Sequence, residues 1–272
     1  MTLRVLGSCA AEGFPGLFCV CPICQEARAR GGKNIRRRTT YLLGERIMVD
    51  WGPDAYHSMI ALGVDYAPLE HLLLSHSHQD HWLPEELAFR RKGFSVVPEG
   101  SLLTVHGNEA VGAKLVGAVP SLEACFLQFR QASAFEEVAL GQGFVGVPVR
   151  ANHAPDEEAF NWLVRTPAGT VLFGNDTGWY PAETWDFLSG EKLKVVFMDS
   201  TSGKIPAHDH HLGCAVVVEV LDMMRKIDCL APDARFIACH FSHNGGMLHE
   251  DLEEFFAPHG IEPAYDGMTI EF

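Results

Sequence analysis

Leu72-Leu73-Leu74-Ser75-His76-Ser77-His78-Gln79-Asp80-His81 is the stretch that decides how this chain folds. An apolar triplet runs straight into three imidazoles and a carboxylate in the order H-x-H-x-D-H. The triplet reads as a buried strand. Side chains alternate along an extended strand end, so His76 and His78 point the same way. The chain must then turn, which swings Asp80 and His81 toward a second position a few ångströms off. One loop can therefore supply half the ligands of a two-metal centre. Neutral imidazole suits zinc or iron and a carboxylate suits a harder ion, so a borderline divalent metal, zinc or manganese, is expected. A plain polar loop does not account for four ligand groups at this spacing.

Working outward, other strand ends carry complementary groups. Val145 to Val149 leads to His153, and Val171-Leu172-Phe173 leads to Asp176. Arg235 to Cys239 presents His240, and Lys194 to Met198 ends in Asp199-Ser200-Thr201, followed by the loop His208-Asp209-His210-His211. Polar residues at successive strand exits are how a layered α/β fold assembles one site from distant segments. Counting ligands, His76, His78 and His153 serve one metal, and Asp80, His81 and His240 serve a second. Asp176, with two oxygens, bridges them. Such an open pair generates hydroxide at neutral pH and clamps an in-line displacement. Asp50 ends the strand Ile47-Met48-Val49, where it can orient a ligating histidine through the second ring nitrogen or cap the Gly52-Pro53 turn.

The chain has 272 residues, 47% of them hydrophobic, which suits a single domain over 1–272. Its formal charge of -14 argues against non-specific contact with nucleic acid or an anionic membrane. No apolar run reaches the length of a membrane span, and Met1-Thr2-Leu3-Arg4 lacks a signal-peptide pattern, so a cytoplasmic protein is expected. Eight cysteines are too few and too unevenly placed for a disulfide framework. Cys9, Cys125, Cys214, Cys229 and Cys239 sit in apolar contexts and read as core residues. Cys19, Cys21 and Cys24 instead form a C-x-C-x-x-C knuckle, one ligand short of a tetrahedral zinc site.

The remaining pattern gives strands at Leu3 to Gly7, Thr39 to Leu43 and Leu102 to Gly107, and helices at Gln25 to Arg30, Ala55 to Leu62, Pro84 to Arg91 and Ala110 to Val116. A hairpin pairs Phe160 to Val164 with Val171 to Phe173, helices follow at Cys214 to Met224 and Leu248 to Phe256, and Ile261 to Phe272 reads as a closing pair of strands. Strands in runs, then interleaved with helices, fit an α/β class αββα four-layer sandwich. His106, alone at a strand end, reads as structural. Arg36-Arg37-Arg38 reads as a solvated face, with anchoring of an anionic substrate or a partner's carboxylates as the functional alternative.

H-x-H-x-D-H after a hydrophobic strand is the signature of the metallo-β-lactamase superfamily, which the chain resembles over its whole length. Gly7-Ser8-Cys9-Ala10-Ala11-Glu12-Gly13, the cysteine knuckle, Arg36-Arg37-Arg38-Thr39-Thr40, His240-Phe241-Ser242-His243 and Tyr265-Asp266-Gly267-Met268 look like PhnP-type proteins, phosphodiesterases linked to carbon–phosphorus lyase. That resemblance implies the metallo-β-lactamase fold with an inserted N-terminal zinc knuckle. It supplies His243 as the fourth ligand of a structural zinc with Cys19, Cys21 and Cys24. It also implies a catalytic histidine in the loop before the late helix, and a homodimer. His208, His210 and His211 compete for that role. His211-Leu212-Gly213 fits best and His210 second, although the family often has a hydroxyl or acid where Gly213 stands.

The resulting expectation is a metal-dependent hydrolase of small or cyclic phosphodiesters. It would use two divalent ions with Asp80 at the centre, a metal-bridging hydroxide, and His211 assisting the leaving alkoxide. Its partner is a small anionic phosphodiester, with no stable nucleic acid and no membrane. The alternatives are a hydrolase of the same superfamily for thioesters, lactones, β-lactams or transfer RNA, or a non-catalytic PqqB-like or metal-binding protein. The acidic balance weighs against transfer RNA, and the complete ligand set weighs against loss of catalysis.

Overall fold

The computed structural model describes residues 1–272. One sheet runs in spatial order β1 (Thr2–Gly7), β2 (Thr40–Leu43), β3 (Ile47–Val49), β4 (His71–Leu73), β5 (Leu103–Gly107) and β6 (Leu127–Gln131). The second runs β7 (Val138–Ala139), β8 (Val145–Arg150), β9 (Phe160–Thr166), β10 (Gly169–Gly174), β11 (Leu193–Asp199), β12 (Leu230–Cys239) and β13 (Ile261–Pro263). β14 (Thr269–Glu271) returns to the first sheet beside β1. The helices are α1 (Pro22–Arg30), α2 (Ala55–Leu62), α3 (Glu109–Ala118), α4 (Ala182–Leu188), α5 (Cys214–Lys226) and α6 (His249–Phe256). No helix is long and apolar enough to cross a membrane.

Alternation along the strands of the first sheet sorts its side chains into two cores. Tyr41, Leu43, Ile47, Val49 and Leu73 face the second sheet and pack with Trp162, Phe173 and Phe197. Leu42, Met48, Leu72 and Leu74 face the other way, onto Ala55 of α2 and Val111 and Leu115 of α3. On the far side of the second sheet, α5 contributes Val216, Val217, Val220 and Leu221. The result is the αββα sandwich. Each large apolar side chain fully buried here contributes about 1.5–3 kcal/mol. Trp162 also donates its indole N–H to Leu74 O at 2.9 Å, tying the second sheet to the strand that launches the histidine motif.

Three sequence expectations change. The closing strands do not pair with each other: β13 adds to the second sheet parallel to β12, and β14 to the first antiparallel to β1. The intervening Ala264 to Met268 segment crosses between the sheets, so two short strands close two edges. The arginine triplet is not a solvated face. Arg36 is buried and donates to Ser8 Oγ and Ala264 O, Arg37 meets Asp266, and Arg38 pairs with Asp54 at 3.0 Å. Arg36 and Arg37 pin the crossing segment, and Arg38 ties the approach to β2 to the start of α2. The segment Pro84–Phe89 is a 3₁₀ helix instead of an α-helix. The structure also adds β6, β7 and α4, which carry weak patterns because β6 and β7 are half-exposed edge strands and α4 is short. All five cysteines read as core residues are buried.

Candidate metal centre

The motif leaves β4 at the mouth between the sheets, and its ligand atoms form two groups that share one carboxylate. His76, His78, His153 and Asp176 place one ligand atom each within 4.8 Å of one another, as do Asp80, His81, Asp176 and His240. Asp176 Oδ2 lies 3.4 Å from His76 Nε2, 3.6 Å from His153 Nε2 and 2.9 Å from His81 Nε2. Its Oδ1 lies 2.8 Å from His240 Nε2. Asp80 Oδ2 is 3.0 Å from His81 Nε2.

The backbone aims these groups. Asp50, Asp176 and His240 have φ of 64°, 45° and 60°, the left-handed region that L-residues rarely occupy. Each follows a strand, so the chain turns sharply and sends the side chain over the strand end. Strain of this kind costs on the order of 1 kcal/mol per residue and persists where surrounding contacts over-determine it. Those contacts fix the rings. Asp50 Oδ2 accepts from His81 Nδ1 at 2.7 Å, and its Oδ1 accepts from Ser75 N at 2.8 Å. Ser75 Oγ sits 3.0 Å from His76 Nδ1, Thr201 Oγ1 2.8 Å from His240 Nδ1, and His153 Nδ1 donates to His210 O at 3.1 Å. In all four rings the far nitrogen is occupied, so Nε2 is the nitrogen turned to the centre. Of the two readings of Asp50, the histidine-orienting one matches this geometry.

Electrostatics agree with a cation-binding role. Burial alone would push His240 down, but the Asp176 carboxylate outweighs it and holds the ring up at about 10. His81 is likewise raised, against burial, by Asp80, Asp176 and Asp50. His76 is pushed well down by burial and by the neighbouring His81. His76 Nε2 and Asp176 Oδ1 are buried with no hydrogen-bond donor or acceptor satisfying them by normal geometry. A buried lone pair without a hydrogen-bonding partner is costly, and a divalent ion satisfies both. The donor set of imidazoles and carboxylates fits such ions.

His211 enters the same cleft. Its Nδ1 is 2.8 Å from Asp199 Oδ2, and Asp199, fully buried, also accepts from Leu212 N and Thr201 N. Burial lowers the affinity of His211 for a proton, but Asp199 reverses this and raises its pKa. His208 and His210 are exposed, and His210 contributes its carbonyl to His153. In the sequence Asp199 carries the same signal as Asp50, an acid ending a buried strand, but nothing local there links it to His211.

The cysteine knuckle closes on the other end of the His240–His243 segment. Cys19 and Cys21 sulfurs lie 3.7 and 3.6 Å from His243 Nδ1, and Cys24 joins the same group. The Cys24 amide, donating to the Cys21 sulfur, pulls that thiol down to about 6. A Cβ at Gly16 would lie 2.8 Å from the His243 ring, so only glycine lets the knuckle close. His106 is buried against His71, as a structural histidine, with 3.1 Å between ring nitrogens.

Among solved structures, a diphosphatase from the PhnP family aligns with TM-score 0.78 and 22% identity, covering 100% of this chain and 97% of its own. Zn(2+)-bound PqqB from Methylobacterium extorquens aligns at TM-score 0.74 and 15% identity, covering both chains fully. Human tRNase Z, short form, follows at TM-score 0.69 and 13% identity, covering 100% of this chain and 99% of its own. No curated protein sequence gives a significant match. The model of the beta-lactamase superfamily domain matches residues 45–241, well over half of the chain and all of the histidine motif. The chain thus belongs to the metallo-β-lactamase superfamily, a metal-dependent hydrolase fold that uses divalent metals, with PhnP-family proteins among its structural relatives.

Proposed function

We propose that the chain is a metal-dependent phosphodiesterase for small or cyclic phosphodiesters. The observation that carries the reading is the Asp176 carboxylate shared by two ligand groups, beside a histidine held by Asp199. In this reading His76, His78, His153 and Asp176 hold one cation, and Asp80, His81, His240 and Asp176 hold the other. Cys19, Cys21, Cys24 and His243 hold a structural zinc. The bound pair supplies a nucleophilic oxygen at neutral pH and positive charge against the phosphoryl oxygens.

The chain's own groups do the rest. Asp199 fixes His211 through Nδ1 and favours its protonated form, which leaves the Nε2 proton for the departing ester oxygen. A cyclic diester would open to a phosphomonoester. The cleft measures about 380 Å³, and its walls include Ala10, Ala11, Ser202 and Asn244 but no lysine or arginine. That volume suits a small ester. It also leaves the ligand-held cations and His211 as the match for the substrate's negative charge.

Two structurally similar proteins, a diphosphatase and a tRNase Z, support phosphoester chemistry. The test is hydrolysis of bis(p-nitrophenyl) phosphate and a 2′,3′-cyclic nucleotide by metal-loaded protein, beside Asp80→Ala. Turnover that disappears in the variant is the expected result. Fully metallated protein that leaves both esters intact would refute the proposal and turn attention to thioesters and lactones.

A further inference from the structure

Outside the ligand set, one polar cluster grips the histidine motif from behind. Ser77 stands between His76 and His78. Its amide donates to both carboxylate oxygens of Glu157 at 3.1 Å, and its hydroxyl donates to Oε1 at 2.7 Å. Glu157 lies four residues beyond His153, in a tight turn where Glu157 N donates to Ala154 O at 3.2 Å and Ala154 adopts φ 40°. One carboxylate therefore staples the loop of two imidazoles to the loop that supplies the third.

Helix α3 completes the grip. Asn108 caps it by accepting from Val111 N at 2.9 Å, and its Nδ2 donates to Glu157 Oε2 at 2.7 Å and to Glu158 O at 2.8 Å. Further along the helix, Lys114 Nζ donates to Ser77 O at 3.0 Å and Trp82 O at 2.6 Å, one carbonyl inside the motif and one just past its end. None of these side chains reaches the ligand groups themselves.

From this geometry we infer that Glu157, seated by Asn108, is the positioning residue for the His76–His78–His153 group. It presets the three imidazoles for one cation and leaves the Asp80–His81–His240 group alone, because that group is oriented separately by Asp50 and Thr201. The inference rests on the metal-centre reading but not on any substrate. Partners bonded directly to a metal ligand are worth about 10- to 100-fold in metal affinity, and Glu157 acts one step further out, through Ser77, so its share should lie at or below the lower end of that range.

The test uses the full chain, stripped of metal and titrated with Co²⁺ under chelator competition. Thiolate charge-transfer bands report the knuckle, and its own ligand-field bands, scaled to them, are subtracted to leave those of the imidazole centre. Glu157→Ala is expected to weaken one of the two centre ions several-fold, up to about 10-fold. The second ion and the knuckle should stay within about twofold. Glu157→Gln turns an amide N–H toward the Asn108 N–H and should weaken the same ion. Wild-type binding at both ions with unchanged affinity in Glu157→Ala would overturn the positioning role alone. Wild-type protein that takes up no Co²⁺ at the imidazole centre would overturn it together with the ligand assignment.

Discussion

Asp50→Asn separates the folding role of this residue from its metal role. Asp50 is fully buried, with one oxygen on Ser75 N at 2.8 Å and the other on His81 Nδ1 at 2.7 Å. Alanine there leaves two buried donors unpaired, each worth about 1–3 kcal/mol, for a loss of about 2–6 kcal/mol. Asparagine also tolerates the φ of 64° and keeps an oxygen for Ser75, so its loss should be near 1 kcal/mol. Its amide, however, faces His81 Nδ1 with a donor. His81 must then accept at Nδ1 and carry its proton at Nε2, the atom that lies 2.9 Å from Asp176. That removes a lone pair from the Asp80–His81–His240 group. Affinity for one ion should fall about 10- to 100-fold, or about 1.4–2.7 kcal/mol. Urea unfolding and chelator competition on both variants measure the two effects. An Asp50→Asn protein that binds both ions as tightly as wild type would refute the tautomer argument, and one as unstable as Asp50→Ala would refute the folding part.

Replacing His211 with asparagine should lower kcat for an alkyl phosphodiester by about 10²-fold or more, with a smaller loss on a p-nitrophenyl ester, whose leaving group needs no proton. Equal losses on the two esters would remove His211 from the leaving-group step. Burial and Arg36 push His249 down to about 4, with Lys33 acting in the same direction and Glu253 opposing. A folded pKa below the ordinary value of about 6.5 means the unfolded chain takes up the extra proton. Stability is therefore full above pH 6.5 or so and is lost as pH falls toward 4, by about 3 kcal/mol at most. His249→Gln should flatten that part of the stability–pH curve, and an unchanged slope would contradict the assignment. In the knuckle, Cys24→Ala should lower bound zinc by one equivalent and open the loop around Cys19 to proteolysis, while the imidazole centre keeps its ions. Metal analysis after gel filtration checks the first and limited digestion the second.

Much of the candidate site could be read without coordinates because clustered imidazoles and carboxylates leave a local imprint. His76, His78, Asp80 and His81 fall within six consecutive residues, and strand alternation plus one turn suffices to divide them. His153, Asp176 and His240 each follow an apolar run, so their strand-end positions were visible too. Supporting contacts left a weaker trace. Asp199 looked like any acid after a strand until the fold set its carboxylate against His211. Glu157 lies in a polar loop with no pattern, and only the approach of Ser77 and Asn108 gives it a role. The arginine triplet misled because charge runs are ordinarily solvated, whereas here the segment crossing to β14 folds over Arg36 and Arg37.

The sequence by itself determined the elements whose interactions are short-range: the strand feeding the motif, the Phe160–Phe173 hairpin, the helix α5, and the groups at strand ends that could hold a metal. Tertiary structure decided which ring nitrogen faces the centre, which of three histidines in the late loop enters the cleft, and to which sheet each closing strand belongs. The reason is physical. Periodicity and turn chemistry act over a few residues of chain. A tautomer, a buried ion pair or an edge pairing depends instead on groups tens to hundreds of residues apart, which meet only when the two sheets close on one another.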